Sequence, residues 1–433
     1  MIAIDPHLLV RGAAVYLAVV LTIGAWAWRR PDARSLAGAM LGFTWNLPVL
    51  LVLNIAAIEL GWWRFDAAGG LLLGVPVDFY LSWAWLWGAV PLIAFPSAPL
   101  AIVVLIALLV DLAAMPAAAP VLQLGPAWLA GEALALVVSL VPGLLLARWT
   151  ARDVRLTERA LLQVMAFSGL VAVLLPAIAI DGSGSSWRSP LDRPAGQLAL
   201  LAQLLALPGI AGLSAVQEFV TRGGGTPVPF DPPKRIVTTG LYSYIRNPMQ
   251  LSAVVLLILL GMVLENVWVA AAGMMAHLYS AGLAGWDEDE DLRRRFGDAW
   301  SIYRRGVRSW VPRARPWHRP DLPPARLFVA ESCGMCSQVG AWFAHRGATH
   351  LAIVPAESHP SAALTRITYE PADGSRAASG VEAVARALEH VHFGWAFTAA
   401  LLRLPIVLPC VQLLVDASGG EPRRVGAPQF PNR

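Results

Sequence analysis

The sequence predicts a mainly α, polytopic transmembrane helical bundle of about nine spans, with a cytoplasmic α/β module at its C-terminal end. Three observations predict it. Apolar residues make up 57% of the 433 residues and charged residues only 14%, whereas soluble domains carry about a quarter charged residues. Apolar stretches recur at the length of about 20 residues that a bilayer core demands. Composition then changes abruptly at residue 286, where a strongly charged stretch begins. A soluble core cannot absorb so much apolar sequence, because a folded sphere of this size still needs a polar shell. Disordered chains, secreted disulfide scaffolds and ordinary cytosolic enzymes are excluded. The net charge of +4 is no argument for nucleic acid, since basic loops are the usual source of such an excess in a membrane protein.

The spans are predicted near residues 8–28, 36–58, 70–95, 98–118, 128–148, 160–180, 197–217, 250–264 and 267–285. The last two meet at Glu265-Asn266 and read as a tight hairpin. No A-x-A cleavage site follows a short apolar stretch, so the first span reads as retained. Loop charge sets the orientation. Arg29, Arg30 and Arg34 follow span one, Arg148, Arg152, Arg155 and Arg159 follow span five, Arg222, Lys234, Arg235 and Arg246 follow span seven, and Arg293 to Arg295 follow span nine. The positive-inside rule then predicts an inner (plasma) membrane protein with its N-terminus outside and its tail cytoplasmic. Four regions are expected: an N-terminal membrane block (1–194), a second membrane domain containing the hairpin (195–315), a Pro-rich linker (316–325) and the C-terminal module (326–433). The module shows a strand at Leu327-Phe328-Val329, another at Leu351 to Val354, and helical spacing from Val381 to His392. The apolar run Ala396 to Val415 is interrupted by Arg403, Pro405 and Pro409, and reads as a buried helix of the module with Cys410 as packing. In the N-terminal block the intramembrane acids Asp111 and Glu132 stand out, since such residues are functional candidates by default.

Two polar, aromatic-rich segments flank the hairpin. The first is Gly240-Leu241-Tyr242-Ser243-Tyr244-Ile245-Arg246-Asn247-Pro248-Met249. The second runs from Glu288-Asp289-Glu290-Asp291-Leu292 through Phe296-Gly297 and Tyr303 to Val311-Pro312-Arg313. Folding the hairpin brings both to one surface. Arginine clamps a carboxylate bidentately, and acidic and aromatic groups accept an ammonium or sulfonium. A ligand with both a carboxylate and a cationic centre suits such a pair. The ordered motifs resemble the isoprenylcysteine carboxyl methyltransferase and phospholipid methyltransferase superfamily over residues 195–315. That family shares G-x-Y-x-x-x-R-[HN]-P-x-Y, a helical hairpin, and an E-E-x-x-L-x-x-x-F-G segment ending in V-P-R. The resemblance implies S-adenosylmethionine as cofactor and a lipid-soluble methyl acceptor, either isoprenylcysteine-like or phospholipid-like. It implies Arg246, Pro248, Glu288 and Asp289 as cofactor contacts, with Tyr242 and Tyr244 lining the site. Gln250 stands where a Tyr is usual, Asp289 replaces the second Glu, and Trp300 stands in for the first Tyr after Phe-Gly.

Ser332-Cys333-Gly334-Met335-Cys336 follows a strand and precedes a helix. A C-x-x-C at a strand-to-helix turn suits redox chemistry, because the helix N-terminus stabilises the first thiolate and the second thiol resolves a mixed disulfide. Cys333 is the expected nucleophile and Cys336 the resolving thiol. Zinc would need two further ligands; His345 and His350 are available, but the spacing does not match a standard finger. The module resembles the DCC-type thiol-disulfide oxidoreductases, a thioredoxin-like family, over residues 326–415. The motif Asp is replaced by Ala330, with Glu331 next to it. The resemblance implies a thiol redox partner. The alternative to a methyltransferase is a membrane-tethered thiol-disulfide oxidoreductase whose methyltransferase-like part is an anchor.

Overall fold

The computed structural model describes residues 5–187, 190–228, 231–360 and 364–423. The end of the predicted C-terminal module, 424–433, lies outside the described residues. The described chain is mostly helical. Among the described residues, eight helices are long and apolar enough to cross a membrane: α1 (Pro6–Arg29), α2 (Ala33–Leu60), α3 (Val77–Ala94), α4 (Leu100–Ala117), α5 (Trp128–Arg152), α6 (Leu156–Ser183), α7 (Ala195–Gly223) and, after the shorter apolar α8 (Pro248–Val263), α9 (Val267–Gly306). The predicted eighth span is therefore the sixteen-residue α8. The third starts later than expected. Leu71–Leu72 and Val75–Pro76 pair as a minute hairpin instead, because Gly69, Gly70 and Gly74 take positive φ there and break the helix. These two strands are β2 and β3; β1 (Trp63–Phe65) pairs antiparallel with β4 (Leu122–Leu124).

Contacts group the chain into two compact units. The first comprises the chain up to Leu198, with 225–232 and 257–272; the second comprises 199–224, 233–256 and the chain from Gly273 onward.

In the first unit, Asp5 and Asp32 cap the opening turns of α1 and α2 with their carboxylates. Small residues let helices approach. A Cβ on Gly42 would lie 2.5 Å from the Gly88 carbonyl oxygen, and one on Gly38 only 2.4 Å from that of Ala147, so α2 meets α3 and α5 backbone to backbone. Ser139 Oγ donates to Asn46 Oδ1 at 2.6 Å, a buried polar tie between α5 and α2. Arg159 is fully buried and paired with Asp153 and Asp231. The junction of α8 and α9 is a tight hairpin: Asn266 Oδ1 accepts the Trp268 and Val269 amides, and Glu265 takes a φ of 53°.

In the second unit, four strands form a sheet in the order β6-β5-β7-β8: β5 (Ala325–Val329), β6 (Leu351–Pro355), β7 (Thr368–Glu370) and β8 (Ala378–Ser379). The β5–β6 pair is parallel and the others antiparallel. Helix α10 (Gly334–His345) joins the parallel pair; α11 (Val381–Leu388), α12 (Phe393–Leu402) and α13 (Val407–Val415) follow. Leu327, Phe343, Tyr369, Ala383, Leu388 and Ala399 share one core. The run Ala396 to Val415 is not one buried helix. It breaks between α12 and α13 with a bend of 91°, where Arg403 turns inward and Pro405 lacks an amide to continue the ladder. Leu413 and Leu414 of α13 are two-thirds exposed, and Cys410 is exposed rather than packed.

A buried four-charge cluster ties this sheet module to the end of α7. The Glu218 carboxylate accepts Arg386 Nη1 at 2.8 and 3.0 Å, and also pairs with Arg403 and the Thr239 hydroxyl; Arg403 and Arg386 both reach Glu389. The Pro-rich stretch is packed as well. Trp317 sits edge-on to Tyr303 at 5.3 Å, and His318 stacks between His350 at 4.7 Å and His390 at 5.0 Å.

Candidate functional site

The two motif segments meet within the second unit. Backbone hydrogen bonds run between them: Arg246 to Arg308 (2.9 Å), Asn247 to Ser309 (3.3 Å), Arg313 to Tyr244 (3.0 Å) and Trp317 to Ser243 (2.8 Å). Tyr303, fixed on the charged half of α9, donates its hydroxyl to the Tyr242 carbonyl at 2.8 Å. Gly297 takes a φ of 52° inside α9, a left-handed position that glycine adopts without strain. The kink falls between Glu288 and Tyr303, both of which interact with Arg246.

Arg246 anchors the cluster. Its Nη2 donates to Ser309 Oγ, and its guanidinium lies 5.6 Å from the Trp300 ring. Glu288 and Asp289 are close enough for their charges to act on it, and burial lowers its pKa. The Gln250 amide donates to Glu288. Three buried polar atoms here lack a hydrogen-bond partner among the described residues: Arg246 Nε, Gln250 Oε1 and the Tyr242 hydroxyl. Burial pushes the Tyr242 phenol well above its usual pKa, so it stays protonated and remains a donor. Buried polar groups are nearly always paired, so three orphans in one cluster need an explanation. A bound polar ligand supplies one.

The other expected residues sit differently. Tyr244 is fully buried; its hydroxyl donates to the Glu389 carbonyl at 3.0 Å and its ring packs edge-on against Phe393 at 5.7 Å. It is committed to the sheet module. Pro248 is buried at the first position of α8, where its missing N–H costs nothing. Asp289 is engaged by Trp300 Nε1 at 2.9 Å, Arg293 at 2.8 Å and Arg304 at 2.9 Å. Glu288 is exposed, and its carboxylate accepts from Gln250 and faces Arg246. Gln250 and Trp300, which stand out in the sequence as departures from a pattern, are thus parts of the cluster. Ser309 carried no sequence signal.

The thiols occupy the β5-to-α10 turn. Cys333 is the N-cap of α10, its Sγ accepting the Cys336 amide at 3.4 Å. Hydrogen bonding from Cys336 lowers the Cys333 pKa, while burial pushes Cys336 up to about 12. The two thiols are therefore unequal, and Cys333 is the readier thiolate. Ala330 is buried against Phe328 and Ala356. Glu331 is exposed; the carboxylate serving this loop is Glu357, which accepts the Glu331 amide at 3.3 Å and the Ser332 amide at 3.2 Å. Glu357 could not be picked out from sequence, because it lies 26 residues downstream and reaches the loop only through β6. His350 stacks on His318 and does not join the cysteines.

Compared with known proteins, the chain matches no protein-family model, no curated protein and no solved structure.

Proposed function

We propose that the chain is an integral membrane S-adenosylmethionine-dependent methyltransferase acting on a lipid-soluble acceptor, with an appended thiol-redox module. The observation that carries this is the group of unpartnered polar atoms on Tyr242, Arg246 and Gln250, facing a carboxylate and an indole that belong to the opposite segment. The residues fit the cofactor. Arg246 offers unmatched N–H to a carboxylate. Glu288 and Trp300 offer negative charge and a π face to an ammonium or sulfonium. Bound there, S-adenosylmethionine would supply an electrophilic methyl group on sulfur. Transfer of a methyl group needs alignment more than acid–base help, so the chain's task is to orient and to exclude water. The tied segments 242–247 and 308–317 provide a rigid frame for that. Apolar membrane-length helices beside such a frame suit an acceptor dissolved in the bilayer. Arginine-rich exits from alternate helices support a cytoplasmic position for both the frame and the module in an inner membrane.

Calorimetric titration of the detergent-solubilised chain with S-adenosylmethionine tests the reading. Saturable binding is expected, weakened at least about tenfold, or about 1.4 kcal/mol, by Arg246→Ala and by Glu288→Ala. Absence of binding by folded protein, or variants that bind as wild type does, overturns it.

A second reading, thiol-disulfide exchange, is favoured by the asymmetric cysteine pair. The β5-α10-β6 unit extended by an antiparallel hairpin, with C-x-x-C at the first turn, supports a thioredoxin-like module. In that reading the Cys333 thiolate attacks a partner disulfide and releases one partner thiolate. Cys336 then loses its proton and displaces the second, so that two thiols are oxidised as one disulfide is reduced. Alkylation at neutral pH should modify Cys333 at least about tenfold faster than Cys336, since the thiolate is the reacting form. Equal rates measured by mass spectrometry would count against this chemistry.

A further inference from the structure

A different part of the chain, the first unit, holds a second feature that methyl transfer does not use. Trp63, Phe65, Phe79, Tyr80, Trp83 and Trp87 line a cavity of about 40 Å³, and Glu132 lines it too. A water needs about 10–15 Å³ of such space, so the cavity has room for about three waters or one small alkylammonium head. Glu132 on α5 is 3% exposed and Asp111 on α4 is 1% exposed. Their carboxyl groups are close enough to hydrogen-bond each other, which requires at least one of them to be protonated. Trp87 Nε1 donates to Asp111 Oδ2 at 3.2 Å. No N–H or hydroxyl of a described residue reaches Glu132 Oε1. No lysine, arginine or histidine lines the cavity, and no described cation pairs with either acid.

An ionised Glu132 in an apolar span is costly without a counter-charge, so a cationic guest is what would hold it ionised. Aromatic faces around a carboxylate are the arrangement that selects an alkylammonium, through cation–π attraction and direct charge pairing. We propose that this cavity is an intramembrane binding site for an alkylammonium group, with Glu132 as its counter-ion and Asp111, tethered by Trp87, positioning Glu132.

Dicyclohexylcarbodiimide labelling of the solubilised chain, read by peptide mass spectrometry, tests this. The reagent partitions into apolar sites and modifies carboxyl groups there. Glu132 should be labelled, and choline should slow the labelling about tenfold, whereas its uncharged isostere dimethylbutanol should not. Trp83→Leu, which leaves both acids in place, should diminish the protection by choline. Slowing by both free choline and short-chain phosphatidylcholine assigns a site for the free cation; slowing by the lipid alone assigns a headgroup site. Three results overturn the proposal: Glu132 unlabelled in folded protein, no slowing by either cation, or equal slowing by dimethylbutanol.

Discussion

Two charged clusters in the second unit contain the same kinds of residue and differ in one respect. Around Glu218, every charge has a buried partner: Arg386, Arg403, Glu389 and Thr239 close a complete network. Around Arg246, the guanidinium Nε, the Gln250 carbonyl and the Tyr242 hydroxyl are left over. A satisfied cluster holds parts of a protein together, and unpartnered buried groups call for an explanation such as a water, an ion or a bound ligand. On the proposed function, the contrast separates scaffold from site by hydrogen bonding alone. It also assigns two neighbouring tyrosines to opposite sides: Tyr244 to the scaffold and Tyr242 to the site.

The largest effect should come from breaking the complete cluster. Glu218→Ala leaves Arg386 and Arg403 buried without their shared carboxylate, a loss of about 3–5 kcal/mol. The melting temperature in detergent should fall steeply. A melt within a degree or two of wild type would show that the cluster does not hold the module to α7.

The next effect is acid lability. Burial first, then the neighbouring His390 and His350, hold His318 down to about 3 against an ordinary 6.5. Its neutral form is the folded one, so the unfolded chain takes the proton first. Stability is full above about pH 6.5 and declines as pH falls from there toward about 3, by up to a few kcal/mol in all. His390 is shifted in the same direction, again chiefly by burial. Melting curves from pH 7 to 5 should show the decline, and His318→Phe should flatten it. An unchanged slope in that variant would mean that other groups set the acid limb.

The smallest effects sharpen the comparison most. Tyr244→Phe removes a made hydrogen bond, so stability should drop by about 1 kcal/mol and ligand affinity should hold. Tyr242→Phe removes an unpartnered hydroxyl, so stability should hold or rise. The affinity for S-adenosylmethionine should fall about two- to tenfold. The same response from both variants would erase the distinction between scaffold and site.

Much of this was legible in the sequence. The apolar runs anticipated the long helices because their length is set by the bilayer and not by tertiary context. The hairpin at Glu265-Asn266 was legible because asparagine is a natural helix cap. The pairing of Arg246 with the segment after Glu288 followed from folding that hairpin. What stayed hidden depends on distant contacts. Nothing local to Arg403 or Glu218, 185 residues apart, announces that they pair. Ala396 to Val415 misled because Arg403 is drawn inward by two carboxylates that periodicity cannot see. The hairpin before α3 was missed because Leu71, Leu72 and Val75 are apolar enough to extend a span, while glycine geometry decides otherwise.

The most direct test of the central claim is the affinity of the solubilised chain for S-adenosylmethionine before and after Arg246→Lys. Lysine keeps the charge and discards the planar fork. Wild-type protein should bind, and the variant should bind at least about tenfold more weakly with its melting temperature unchanged. Equal affinity in the two proteins, or no binding by folded wild type, would contradict the assignment of this cluster as the cofactor site.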